Sequence, residues 1–128
     1  MDFKISHMPL FVSNQDEALA FYTNKLGFRV HTDAMFGADM RWLTLCTESA
    51  PDFELIISLA ATPETKALVG KQGGNEPMCC FATSDCAEFI ERARSNGVEI
   101  VQEVKKEMWG TSALIKDLYG NLIYVTQQ

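Results

Sequence analysis

Six residues carry the side chains best suited to engaging a small molecule: His7, Trp42, Ser58, Cys80, Trp109 and Tyr124. Two indoles and a phenol offer flat apolar faces for stacking. The imidazole and hydroxyl tips supply hydrogen bonds, the usual mix of a small-molecule pocket. His7 and Tyr124 could also work as an acid–base pair if the pKa of one were perturbed. No carboxylate stands out in the sequence to orient His7, and neither Cys79 nor Cys80 has an evident base, so acyl transfer is unsupported. The plainer alternative is that Trp42, Trp109 and Tyr124 simply fill the core. No G-x-S-x-G, P-loop or dinucleotide fingerprint is present, and the GKQGGN run at residues 70–75 lacks a strand–helix setting for phosphate.

These side chains must be positioned by elements that the sequence states twice. Residues 5–30 read as a strand, a capped amphipathic helix and a glycine stop, and residues 78–100 repeat that grammar. In the first copy Asn14 with Glu17 forms the cap, Leu19, Tyr22 and Leu26 form the helical stripe, and Gly27 ends it. In the second, Asp85 with Glu88, then Phe89, Ile90 and Ala93, then Gly97 play the same parts. Each helix is followed by three predicted strands, at residues 28–32, 40–47 and 53–60, then at 98–104, 110–116 and 122–127. Alternation from Phe3 to Val12 puts Phe3, Ile5, His7, Pro9 and Phe11 on one face, and Pro9 assigns that strand to an edge or a bulge. The fold class is therefore α+β: two βαβββ modules pairing mixed sheets into a half-open trough or barrel. Module 1 spans about residues 1–61, a polar connector about 61–77, and module 2 about 77–128, all within one domain. Alternation places His7, Trp42, Ser58, Cys80 and Tyr124 on the inner faces, and Trp109 at one end.

The chain has 128 residues, and 47 % hydrophobic composition supports one shared core. A formal charge of −6 and no basic cluster beyond Lys105-Lys106 exclude nucleic acid as the main partner. No apolar run reaches the roughly 18 residues of a membrane span, and residues 1–7 do not read as a signal peptide. The four cysteines (Cys46, Cys79, Cys80, Cys86) lack CxxC spacing and read as reduced thiols of a cytoplasmic protein.

The initial I-S-H, the helix run ALAFYTNKLGF, the pair Arg41-Trp42 and the ending WGTSALIKDLYGNLIYVTQ together carry a resemblance. The chain resembles the vicinal-oxygen-chelate superfamily of glyoxalase I, bleomycin-resistance proteins and extradiol dioxygenases. Its turn from Asp117 to Asn121 is similar to the family's DPxGN, with Leu118 in place of proline. In metal-dependent members four strands each supply one ligand: His or Gln, Glu, His, Glu. The resemblance puts those positions on His7, Ser58, Met78 (or Cys79) and Tyr124. Glu54 shares the predicted face of Ser58 but lies two pleats, about 13 Å, before it. Only His7 is kept, and neutral Ser, Met and Tyr offer a hard divalent ion little charge compensation.

The resemblance thus implies a metal-independent small-molecule-binding protein, closest to the bleomycin-resistance branch, with no cofactor and no metal. It would sequester or carry an aromatic or cationic ligand in the trough, antibiotic-resistance-like, as a homodimer. The alternative is a glyoxalase-type lyase or isomerase, or a dioxygenase, with a divergent or His7-based site. A third expectation is an interaction module whose trough is plugged by its own aromatics.

Overall fold

The computed structural model describes residues 1–127. The first helix is set by its cap: Asn14 is extended (φ −150°) and its side chain accepts the Glu17 N–H at 2.8 Å. Asp85 accepts the Glu88 N–H at 3.0 Å in the same way. Gly27 (φ 77°) and Gly97 (φ 84°) take the left-handed turn that lets the chain leave each helix. The elements run β1 (His7–Val12), α1 (Gln15–Asn24), β2 (Arg29–Phe36), β3 (Met40–Thr47), β4 (Ala50–Leu59), α2 (Pro63–Leu68), β5 (Cys79–Ala82), α3 (Cys86–Ser95), β6 (Glu99–Glu107), β7 (Gly110–Lys116) and β8 (Leu122–Gln127). This is the expected α+β class with βαβββ stated twice. The chain divides into two compact units, with the break after Lys66, inside the polar connector.

In the first unit the sheet order is β1-β4-β3-β2, with β1 parallel to β4 and the other pairs antiparallel. One face packs under α1, where Leu10, Val12, Leu43, Leu45 and Ile57 are fully buried. The helix buries Ala18, Phe21 and Tyr22, so of the expected stripe Tyr22 is buried while Leu19 and Leu26 are only half-buried. Leu26 lies beyond its last turn, and Tyr22 packs edge-on between Phe21 and Phe28 at 5.4 and 5.3 Å. Arg41 ties the helix to the sheet, reaching Asp16 in the first turn of α1 and Asp33 on β2. β1 begins at His7, later than the alternation from Phe3 suggests. Ser6 O is the last point at which β4 is met, accepting from Glu54 N, and Phe3 and Ile5 are exposed. Pro9 sits on β1, the edge strand of this unit's sheet, a position that tolerates its missing N–H.

In the second unit the order is β5-β8-β7-β6, with β5 parallel to β8. Ile90 and Ala93 of α3 bury against the face carrying Ala113, Ile115, Ile123 and Val125. The D-x-x-G-N turn is held by the Asp117 carboxylate, which accepts from Tyr119 N, Asn121 N and Asn121 Nδ2, each at 2.9 Å. Asn121 Oδ1 in turn accepts Gln72 N at 3.1 Å, pinning this unit's part of the connector to the turn. Among the described residues no helix is long and apolar enough to cross a membrane.

Candidate functional site

The parallel register of β1 and β4 sets His7 level with Glu54. The expectation that no carboxylate orients His7 is thereby overturned: His7 Nε2 lies 2.9 Å from Glu54 Oε2. Ser58, placed by the resemblance alongside His7, is instead level with Phe11, four residues further along the strand. The reason is non-local. Alternation fixes which face a residue occupies, but only strand pairing fixes its height.

A second imidazole joins this carboxylate. A register shift between Val30 and Thr32 in β2 leaves His31 outside the regular pairing, and His31 Nδ1 comes to 3.1 Å from Glu54 Oε1. The fully buried Thr44 donates its hydroxyl to the same oxygen at 2.7 Å. These neighbours hold the Glu54 carboxyl below the usual carboxylate range, the Thr44 hydrogen bond contributing most, then the two histidines. Trp42, on the same face, tilts against His7 with ring centroids 6.1 Å apart. Neither His31 nor Glu54 was among the six expected residues. The available signal was a lone acidic residue alternating with Ile56 and Ser58 on one strand face.

The second unit gathers three of the expected residues on the face away from α3. Tyr124 is level with Cys80 on β5, and its ring stands 6.4 Å from that of Trp109 at 52°. The Tyr124 hydroxyl lies 3.2 Å from Ser112 Oγ, to which it donates. Trp109 remains about half exposed, at 53 %. Lys105, paired with Glu107 at 3.0 Å, lies near enough for the phenol to contribute to its raised pKa, behind the larger effect of Glu107. Cys80 is exposed, whereas burial pushes the neighbouring Cys79 thiol up to about 11, with lesser contributions from Cys80 and Asp117. Two surface hollows, one around Ile5, Pro51 and Phe53 and one around Glu88, Arg92 and Asn96, include none of the six residues.

The internal repeat tests whether the family's metal would fit. The caps Asn14 and Asp85 make Met78 the counterpart of His7, and the β5/β8 register puts Tyr124 one pleat beyond the residue level with Met78. The same step in the first unit leads from Glu54 to Ile56. His7, Ile56 (or Ser58), Met78 and Tyr124 do not make a donor set for a hard divalent cation. His7 and His31 approach opposite oxygens of Glu54, and among the described residues no group of three or more His, Cys, Asp and Glu side chains is arranged to hold a metal ion.

The chain is 34 % identical to protein YurT of Bacillus subtilis (strain 168) over 127 residues, 98 % of this chain and 99 % of YurT. It is 32 % identical to a protein of Shewanella frigidimarina (strain NCIMB 400) over 119 residues, 92 % of this chain and 88 % of that one. Among solved structures, UcmS2 is 32 % identical with a TM-score of 0.88 over the whole of both chains. TnmS3, an antibiotic binding protein from Streptomyces sp. CB03234, shares the fold at 24 % identity and a TM-score of 0.77, covering 98 % of this chain and 96 % of that one. The sequence model of the glyoxalase/bleomycin resistance protein/dioxygenase superfamily matches residues 4–125. On that match, spanning almost its full length, the chain belongs to the glyoxalase/bleomycin resistance protein/dioxygenase superfamily.

Proposed function

We propose that this chain is a metal-independent binding protein for a small aromatic molecule, which it sequesters or carries. The observation that carries this reading is Tyr124. Where metal-dependent relatives are expected to bring a carboxylate, this chain brings a phenol that is hydrogen-bonded to Ser112 and tilted against Trp109. Such a pair offers apolar faces for stacking and no charge for a cation. Trp42 beside His7 offers a similar combination in the first unit, with Ser58 as a further polar tip there and Cys80 as one in the second unit. The description of TnmS3 as an antibiotic binding protein supports a ligand of drug-like size. The working form is a homodimer in the cytoplasm, which light scattering and fractionation would test.

Calorimetry against a panel of aromatic compounds tests the reading. Binding that weakens about tenfold in Trp42→Ala or Trp109→Ala, with the fold intact by circular dichroism, is expected. A panel without a single binder would sink it, as would one equivalent of tightly held Ni, Zn, Fe or Mn in protein purified without a tag.

One observation favours a second reading. His7 is oriented by Glu54, as a general base needs to be, so a glyoxalase-type or related activity with a His7-based site is the alternative. Turnover of lactoylglutathione by metal-free protein, abolished in His7→Gln, would replace the binding reading with this one.

A further inference from the structure

The Glu54 carboxylate faces three donors, and that fact fixes one hydrogen on each of two imidazoles. Oε1 takes the Thr44 hydroxyl and faces His31 Nδ1, and Oε2 faces His7 Nε2. An ionised carboxylate can only accept, so each nitrogen facing it carries the hydrogen. His7 is then the Nε2–H tautomer, and its remaining lone pair on Nδ1 accepts the Ser6 hydroxyl at 2.8 Å. His31 is the Nδ1–H tautomer, with Thr32 Oγ1 2.9 Å from the same nitrogen. In the neutral ring its lone pair therefore sits on Nε2, for which the described residues supply no partner. The His31 side chain is 39 % exposed, so that acceptor is within reach of a ligand.

We propose that His31 Nε2 is the polar anchor of the first unit, recognising the neutral hydroxyl of an aromatic ligand. This rests on the aromatic-ligand reading above and deepens it by naming the group the ligand must carry. A hydrogen-bond acceptor held by a carboxylate behind it selects for O–H and against a ligand carbonyl or ether in the same place. An anionic ligand group is disfavoured by the charge of Glu54. A ligand ammonium finds that carboxylate already enclosed: both its oxygens are engaged and its side chain is only 14 % exposed. The site thus turns the expectation of an aromatic or cationic ligand toward a neutral phenol-like one.

Two measurements test the assignment. Long-range ¹H–¹⁵N spectra of the histidines should show His31 with a protonated Nδ1 and a bare Nε2, a preference that Glu54→Gln weakens. A dominant Nε2–H tautomer overturns the proposal without any ligand being needed. Calorimetry with 2-naphthol, 2-methoxynaphthalene and naphthylmethylammonium then reads the chemistry. 2-Naphthol is expected to bind about tenfold more tightly than its methyl ether, and His31→Phe should reduce that ratio to about one. Equal binding of naphthol and its ether overturns this inference while leaving aromatic binding intact. Preference for the ammonium overturns it in favour of a cation site. Absence of binding by all three overturns it together with the reading on which it rests.

Discussion

His7 and Glu54 face one another across the parallel β1/β4 pair, with His7 Nε2 2.9 Å from Glu54 Oε2. The arrangement depends on Thr44 from below, because the Thr44 hydroxyl is fully buried and has Glu54 Oε1 as its acceptor at 2.7 Å. Thr44→Val keeps the shape and β-branching but removes the donor. It is expected to destabilise by about 1 kcal/mol, the usual net value of one such hydrogen bond. Urea unfolding of Thr44→Val, Glu54→Leu and the double variant should show coupling between the two positions. Strict additivity would mean that the contact contributes nothing.

Acid should loosen the link between β2 and β3. Arg41 holds Asp33 through two 2.9 Å hydrogen bonds, and these keep the Asp33 carboxyl below the usual range. A carboxyl whose pKa is depressed on folding stabilises above its unfolded value, and that contribution is lost as pH falls through the folded value. Asp33 is 39 % exposed, so solvent screens the pair and the effect is small. The melting temperature of the wild type should therefore fall more steeply below pH 4 to 5, the ordinary carboxylate range, than that of Asp33→Asn. Parallel curves for the two proteins would exclude the pair as a source of acid sensitivity.

The contrast between this pair and the Glu54 cluster explains what the sequence could disclose. The caps at Asn14 and Asp85 and the stops at Gly27 and Gly97 were legible because capping is settled within four residues. Pro9 likewise narrowed its strand to an edge or a bulge through its missing donor alone, and the sheet order gives the edge. Glu54 was visible on the correct face, yet its height beside His7 required the β1/β4 register, which joins residues far apart in the chain. His31 was hidden by a register shift next to it, since a bulge suspends the alternation from which facing is read. Helix α1 ended before Leu26, so a stripe extended through that residue mistook the turn for helix.

The cysteines should separate by position on β5. Cys80 is exposed, Cys46 and Cys86 are buried, and burial holds the Cys79 thiol up at about 11. Iodoacetamide at pH 8 is expected to modify Cys80 first, with Cys79, Cys46 and Cys86 following only on unfolding, as peptide mass mapping would record. A thiol whose folded pKa is raised stabilises while it stays neutral. Stability should thus decline as pH climbs from about 9, where an unfolded thiol ionises, toward 11. Cys79→Ala should flatten that alkaline decline. Early labelling of Cys79 at pH 8 would contradict the burial that raises it.

The connector is expected to be intolerant at one glycine and forgiving at another. A Cβ on Gly70 would stand 2.0 Å from the Tyr119 carbonyl oxygen, and Gly70 also has φ +77°. Backbone atoms of the D-x-x-G-N turn cannot yield cheaply, because Asp117 and Asn121 brace it from inside. Gly70→Ala should therefore destabilise by about 2–4 kcal/mol. Gly74 has a similar φ of +71° but open space around it, so Gly74→Ala should lose only about 1 kcal/mol of backbone strain. Equal losses in the two variants would show that φ, rather than contact with the turn, governs the connector.

Tyr124 allows stacking and hydrogen bonding to be separated. Its hydroxyl donates to Ser112 within the same unit, so a ligand does not need that proton, while the ring lies against Trp109 and is open to contact. Tyr124→Phe is expected to leave affinity for an aromatic probe such as 2-naphthol within about threefold, whereas Tyr124→Ala should weaken it about tenfold. Trp109→Ala should resemble Tyr124→Ala, because either change removes one wall of the same ring pair, and the double variant should lose little more than each single one. Calorimetry on the four proteins reads this directly. A tenfold loss in Tyr124→Phe alone would assign the work to the hydroxyl, and Tyr124 would then serve as a polar contact rather than a stacking surface.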